Sequence, residues 1–194
     1  MYISKSGGVR SQMRGSTMSD ALCAFLRGVN VNGRTMKMDE VCQVFRSESV
    51  QNVRSVLATG NILFESVLAK SDLRRNLEKR MADHYRMDIS MIIKNKDEVE
   101  AILRNSPFPT DPDMHVYAFI CENGFERILM DRFSTITPTV NEKAQISECQ
   151  FYWQVSKGMT LDSGFSKILG EKQMKDQFTS RNINTIQKIF DKMT

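Results

Sequence analysis

The chain of 194 residues is 41% hydrophobic and 26% charged, which is ordinary for a globular protein and sufficient for one domain or two small, closely packed ones. No apolar run approaches the roughly 18 residues that span a bilayer, so a membrane role is not expected. The formal charge of +4 comes mostly from Lys5, Arg10 and Arg14 in the acid-free first 17 residues, leaving the remainder nearly neutral and without the strong basic balance of a nucleic-acid coat.

Residues 1–17 are rich in Ser and Gly, show no helical periodicity and lack the apolar centre of a secretory signal. They are expected to form a disordered basic leader, and Met18, followed by SDALCAFLRGV, offers an alternative natural start. Next, 21–26 are apolar at nearly every position, as in a strand buried on both faces. Met38, Val41, Val44 and Phe45 fall at helical spacing, with Asp39 and Glu40 in the first turn where acids suit the helix dipole.

Two strands are predicted over 53–58 and 62–65, joined through Thr59-Gly60-Asn61, where Gly60 supplies a positive φ. A helix capped by Ser71 with a Leu73, Leu77, Met81 stripe follows, then a strand over 89–93. The order βαββαβ is that of a ferredoxin-like sandwich.

A short helix around Val99, Ile102 and Leu103 leads into SPFPTDPD, a connector containing three of the four prolines. The second half is predicted as a strand over 114–121, a helix over 125–133, strands near 144–148 and 151–155, and two closing helices, the last capped by Ser180 and buried through Ile183, Ile186, Phe190 and Met193. The fold class is α+β: a ferredoxin-like first half at 18–106 and a related, smaller α+β second half at 107–194, whose C-terminal helices pack back on the first.

Cys23, Cys42, Cys121 and Cys149 show no metal-ligand spacing, three have apolar neighbours, and a reducing, cytoplasmic location is the expectation. His84 and His115 are assigned structural roles. No cofactor or metal is indicated. There is no GxSxG or HExxH, and Asp162 and Ser163 near Lys167 read as a turn and cap rather than a nucleophile pair, so no enzyme activity is assigned.

The chemistry concentrates in FLRGVNVNGRTMKM. Gly28 and Gly33 free the backbone, Asn30 and Asn32 tolerate left-handed conformations, and Arg27 and Arg34 flank a loop before a helix N-terminus, an arrangement apt for an anion. Ser180, Arg181 and Asn182 are read as the first turn of the last helix, with Arg181, Asn184, Thr185 and Lys188 on its polar face; Ser166 and Lys167 form a third basic turn beside a helix, and Gly60 and Asn61 of the tight turn join the candidate residues. Convergence of these turns would create an oxyanion pocket. The favoured function is binding of a phosphorylated small molecule or nucleotide. The alternatives are an RNA-binding protein using the sheet, with FYW at 151–153 as its aromatic patch, and a homo-oligomeric interaction module.

In order along the chain, FLRGVNVNGRTMKM, NVRSVLATGNILFES, SPFP, MHVYAFI, SGFSKIL and TSRNINTIQKI resemble the landmarks of the bacterial family catalogued as domain of unknown function 1697. Departures are Asn32-Gly33 where the family has two glycines, Thr59 for a serine and Ile183 for an aromatic. The resemblance implies a two-part α+β fold of ferredoxin-like character and no assigned activity.

Overall fold

In the computed structural model, β1 (Asp20–Leu26) sends alternate side chains into different cores, which is why the whole segment is apolar. The structure describes residues 19–27, 29–31, 34–47, 49–171, 174 and 177–193, so the 1–17 leader lies outside the described residues. Leu22, Ala24 and Leu26 meet α1 (Met38–Phe45) and α2 (Lys70–Tyr85), whose Val41, Phe45, Leu73, Leu77 and Met81 close one core. Cys23 and Phe25 face the other way, toward the second half of the chain.

The first sheet runs β4 (Gln51–Ser55), β5 (Asn61–Ser66), β1, β6 (Met91–Asn95) and is antiparallel throughout. With α1 between β1 and β4 and α2 between β5 and β6, this is the ferredoxin-like order. A two-stranded ribbon, β2 (Asn30–Val31) with β3 (Arg34–Thr35), fills the loop between β1 and α1. Helix α3 (Lys96–Arg104) then starts directly from β6 through a capping box: Asn95 Oδ1 accepts from Glu98 N at 2.9 Å and Glu98 Oε2 from Asn95 N at 2.7 Å.

The second half repeats this connectivity: β7 (Met114–Cys121), α4 (Phe125–Ser134), β8 (Lys143–Ser147), β9 (Gln150–Ser156), α5 (Gly164–Leu169), β10 (Phe178–Asn182) and α6 (Ile183–Phe190), with sheet order β10-β7-β9-β8. Register fixes the correspondence. Leu26 pairs with Met91 in the first sheet and Cys121 with Phe178 in the second, while Leu22 pairs with Asn95 and Tyr117 with Asn182. Asn95 and Asn182 are thus equivalent, and each caps the helix that follows its strand, Asn182 Oδ1 accepting from Asn184 N at 2.9 Å.

On its outer face the second sheet packs Phe119, Phe151, Trp153 and Val155 against Leu129 of α4 and Phe165 of α5. Its inner residues Ala118, Ile120 and Tyr152 join Cys23, Phe25 and Leu63 of the first sheet, with Val99 and Ile102 of α3 and Ile186 and Ile189 of α6, in one core between the halves. Tyr152 ties it by donating to the Ile102 carbonyl at 2.8 Å.

Several expected boundaries are corrected. The strand expected at 53–58 ends at Ser55, and that at 89–93 starts at Met91, with Ile89 buried ahead of it. Ala69, without a side-chain cap, precedes α2 in place of Ser71. The larger correction is β10, which the sequence reading merged into the final helix. Ser180 and Arg181 are paired with Phe119 and Ala118, so Ser180 caps nothing and the helix starts at Ile183. Ile189, rather than the partly buried Phe190, sits deep in the core.

Candidate functional site

At the end of β1 the chain turns through Arg27, and three predicted elements meet there: the 59–61 turn, the start of the glycine and asparagine loop, and Arg181. Gly60 holds φ at +73°, and a Cβ on it would lie 2.8 Å from Val29 Cγ1 and 3.2 Å from Leu26 Cβ, so both conformation and space demand glycine. Asn61 is fully buried; its Nδ2 donates to the Val56 carbonyl at 3.0 Å and Thr59 Oγ1 at 2.9 Å, leaving Oδ1 aimed at the second half.

Arg181 fills that place. Its Nε donates to Asn61 Oδ1 at 2.5 Å, its Nη1 to Thr179 Oγ1 at 2.6 Å and the Ser180 carbonyl at 2.8 Å, and its Nη2 to the Leu26 and Gly60 carbonyls at 2.9 and 3.3 Å. These use all five guanidinium N–H groups. No carboxylate is among them, and burial pulls the Arg181 pKa down to about 10. Arg181 is therefore a tie between the two sheets with no donor left for an outside anion. It also lies on β10, off the helix face that was to align it with Asn184, Thr185 and Lys188.

Arg27 is placed differently. Its backbone N donates to the Ser90 carbonyl at 2.9 Å, its Nη1 donates to the Phe178 carbonyl, and its guanidinium carbon stands 4.9 Å from the centre of the Phe178 ring. It lines a crevice of about 170 Å³ between the halves, with Arg74, Ser90, Glu122, Gln177 and Thr179 supplying the other polar walls and Phe25, Met91, Ile92 and Phe178 the apolar ones. Eight of the ten lining residues fall into equivalent pairs from the two repeats: Arg27 with Glu122, Ser90 with Gln177, Met91 with Phe178 and Ile92 with Thr179. Arg74 comes from α2, where its Nε donates to Glu78 Oε1 at 3.0 Å and its Nη1 to Glu122 Oε1.

Other predicted site residues fall elsewhere. Gly28, Asn32 and Gly33 lie outside the described residues, and Asn30 and Arg34 contribute backbone pairs of the β2–β3 ribbon. Ser166 and Lys167 sit on α5, which covers the outer face of the second sheet, opposite Arg181; Ser166 Oγ bonds the Leu161 and Ser163 carbonyls, both at 2.9 Å. Ser163 Oγ accepts from Ser166 N at 3.1 Å, a helix cap. Asn182 is four residues along β10 from Phe178, about 13 Å away at strand rise, where it caps α6 and lies 3.2 Å from His115 Nδ1; Thr185 follows in the first turn of that helix. The three turns do not converge in one pocket.

Phe151, Tyr152 and Trp153 are at most 2% exposed, so this patch offers no ring for base stacking. Glu142, itself buried, accepts from Trp153 Nε1 at 3.1 Å and Thr139 N at 2.8 Å. Among the described residues no group of His, Cys, Asp and Glu gathers to hold a metal ion, and no helix is long and apolar enough to cross a membrane.

Residues 19–152 match the family model described as Protein of unknown function (DUF1697). The chain belongs to this family. Arg27 of its landmark FLRG segment thus lines the crevice, and its ATGN segment builds the Arg181 receptor. The structure is similar to that of the conserved bacterial protein SP0830 from Streptococcus pneumoniae, with a TM-score of 0.73, 22% identity, and coverage of 91% of this chain and 99% of that one. At that identity the likeness speaks for the fold. No curated protein matches the chain.

Arg74, Glu122 and Gln177 escaped the sequence reading. Arg74 looks like any solvated position on α2, and Glu122 like a loop acid after β7. Only the equivalence of Arg27 and Glu122 at the ends of the two first strands carries a signal, and it becomes readable once the repeat is recognised.

Proposed function

We propose that the protein binds the phosphate group of a small molecule in the crevice between its two ferredoxin-like halves. The observation that carries this reading is that Arg27, at the end of β1, and Arg74, on α2, line one cavity with donors from Ser90, Gln177 and Thr179. Guanidinium groups supply planar donor pairs suited to phosphate oxygens, and the low-dielectric walls of Phe25, Met91 and Phe178 strengthen such contacts.

Size narrows the ligand. Pockets that enclose drug-sized molecules run to about 300–1,000 Å³. A cavity of about 170 Å³ accommodates a phosphate with a few attached atoms, so a nucleotide would leave its base and sugar outside. The phosphate is the recognised group, and its binding is the role this reading assigns to the crevice.

A thermal-shift titration with inorganic phosphate tests this. Ligand that binds the native state raises stability by RT ln(1 + [L]/Kd), so the midpoint rises with phosphate concentration in the wild type and less in Arg27→Ala. Equal midpoints at zero and at high phosphate would defeat the reading.

A further inference from the structure

Glu122 stands in the crevice where an incoming anion would sit. It is the second-half counterpart of Arg27, placed one residue beyond the end of β7 as Arg27 is one beyond β1. Its side chain is 66% exposed, and its polar contact among the described residues is with Arg74 Nη1 alone. Arg74 does not depend on it for placement, because Glu78, one helical turn away, holds Nε at 3.0 Å and is itself fixed by accepting from Met91 N at 3.0 Å. Arg74 is thus oriented by one carboxylate and blocked by another, and the blocking one is the more exposed of the two.

We infer that Glu122 is a tethered competitor that occupies Arg74 in the empty protein and is displaced when phosphate binds, an inference that rests on the crevice being a phosphate site. The device couples the halves to the ligand. Without ligand, Glu122 of the second half bridges to Arg74 of the first; with ligand, the phosphate sits between Arg74 and Arg27, both of the first half, that bridge is released, and Glu122 turns to solvent. A carboxylate held at high effective concentration also sets a threshold. A weak monoanion such as acetate displaces it less readily than a dianion, which gains from two guanidinium groups.

An exposed ion pair of this kind shifts an equilibrium by up to about fivefold, and the apparent affinity falls by the same factor. Calorimetric titration of inorganic phosphate and of acetate into wild type, Glu122→Gln and Asp72→Asn measures it at pH 8, where phosphate is mostly dianionic. Asp72 also lies on α2, pairs with Arg75 at 3.3 Å and does not line the crevice, so it controls for a general change in charge. The expected result is phosphate binding in all three, about threefold to fivefold tighter in Glu122→Gln and unchanged in Asp72→Asn, with acetate weaker throughout. Phosphate binding to wild type that is unchanged or weaker in Glu122→Gln, or tightened equally in Asp72→Asn, overturns the competitor role and leaves the site standing. Acetate as tight as phosphate overturns the dianion threshold. Absence of phosphate binding in all three proteins overturns the site and the competitor together.

Discussion

Arg181 Nε lies 2.5 Å from Asn61 Oδ1, joining the edge strand of the second sheet to the tight turn of the first across 120 residues of sequence. The guanidinium meets only neutral oxygens, so the tie is a charge solvated by protein dipoles. Arg181→Ala removes the guanidinium donors to Asn61 Oδ1, Thr179 Oγ1 and the Ser180, Leu26 and Gly60 carbonyls, of which Gly60 still accepts from Leu26 N, and is expected to cost about 3 kcal/mol or more in urea unfolding. Arg181→Lys recovers only part of this, because an ammonium cannot reproduce the planar fork. A double-mutant cycle with Asn61→Ala should show coupling well above additivity. Additive effects would mean the contact contributes little.

Gly60 is the second structural requirement at this junction. Gly60→Ala places a Cβ 2.8 Å from Val29 Cγ1 at a φ of +73°, combining backbone strain with overlap. A loss of about 1–3 kcal/mol is expected. Asn at this position tolerates the φ but not the crowding, so Gly60→Asn should be no better than Gly60→Ala in the same unfolding assay.

Glu98 gives the fold an acid-sensitive element. Burial alone would raise its carboxyl pKa, but the hydrogen bond from Lys70, the Asn95 N–H and the nearby Lys94 charge outweigh it, and the net shift is downward. A depressed carboxylate stabilises the native state above its unfolded pKa, and that contribution is lost as pH falls through the folded value. Wild type and Glu98→Gln should therefore differ at pH 7, by about 1 kcal/mol as for other helix caps, and converge below about pH 4. A constant gap from pH 7 to 3 would contradict the assignment.

Tyr152 tests the core shared by the halves. Tyr152→Phe keeps the ring and removes the donor to the Ile102 carbonyl, so about 1 kcal/mol should be lost with little change in structure. Burial keeps the phenol protonated, its pKa being pushed up, so the bond should persist through alkaline pH, which absorbance titration can follow.

Elements with a strong apolar signature were legible in the sequence. β1, α1, α3 and β7 are fixed by runs or stripes of buried side chains, and the ferredoxin-like order of the first half followed from them. β10 was not legible, because FTSRN is polar over most of its length, occupies a sheet edge, and runs without a loop into α6. Its Arg181 consequently looked like an anion-binding residue at a helix start, whereas it is a buried tie between the two sheets. The place of Arg27 at the end of a buried strand was legible, as was the tight turn at Gly60 and Asn61. Arg74 and Glu122 were not, since only tertiary packing brings a helix face and a β-strand exit to one crevice.

The most direct test of the phosphate site is amide NMR of the ¹⁵N-labelled protein during titration with inorganic phosphate. Saturable shifts confined to Arg27, Ser90, Ile92, Gln177 and Thr179, and abolished in Arg27→Ala, are predicted. Unmoved crevice amides, or shifts scattered over the surface without saturation, would contradict it.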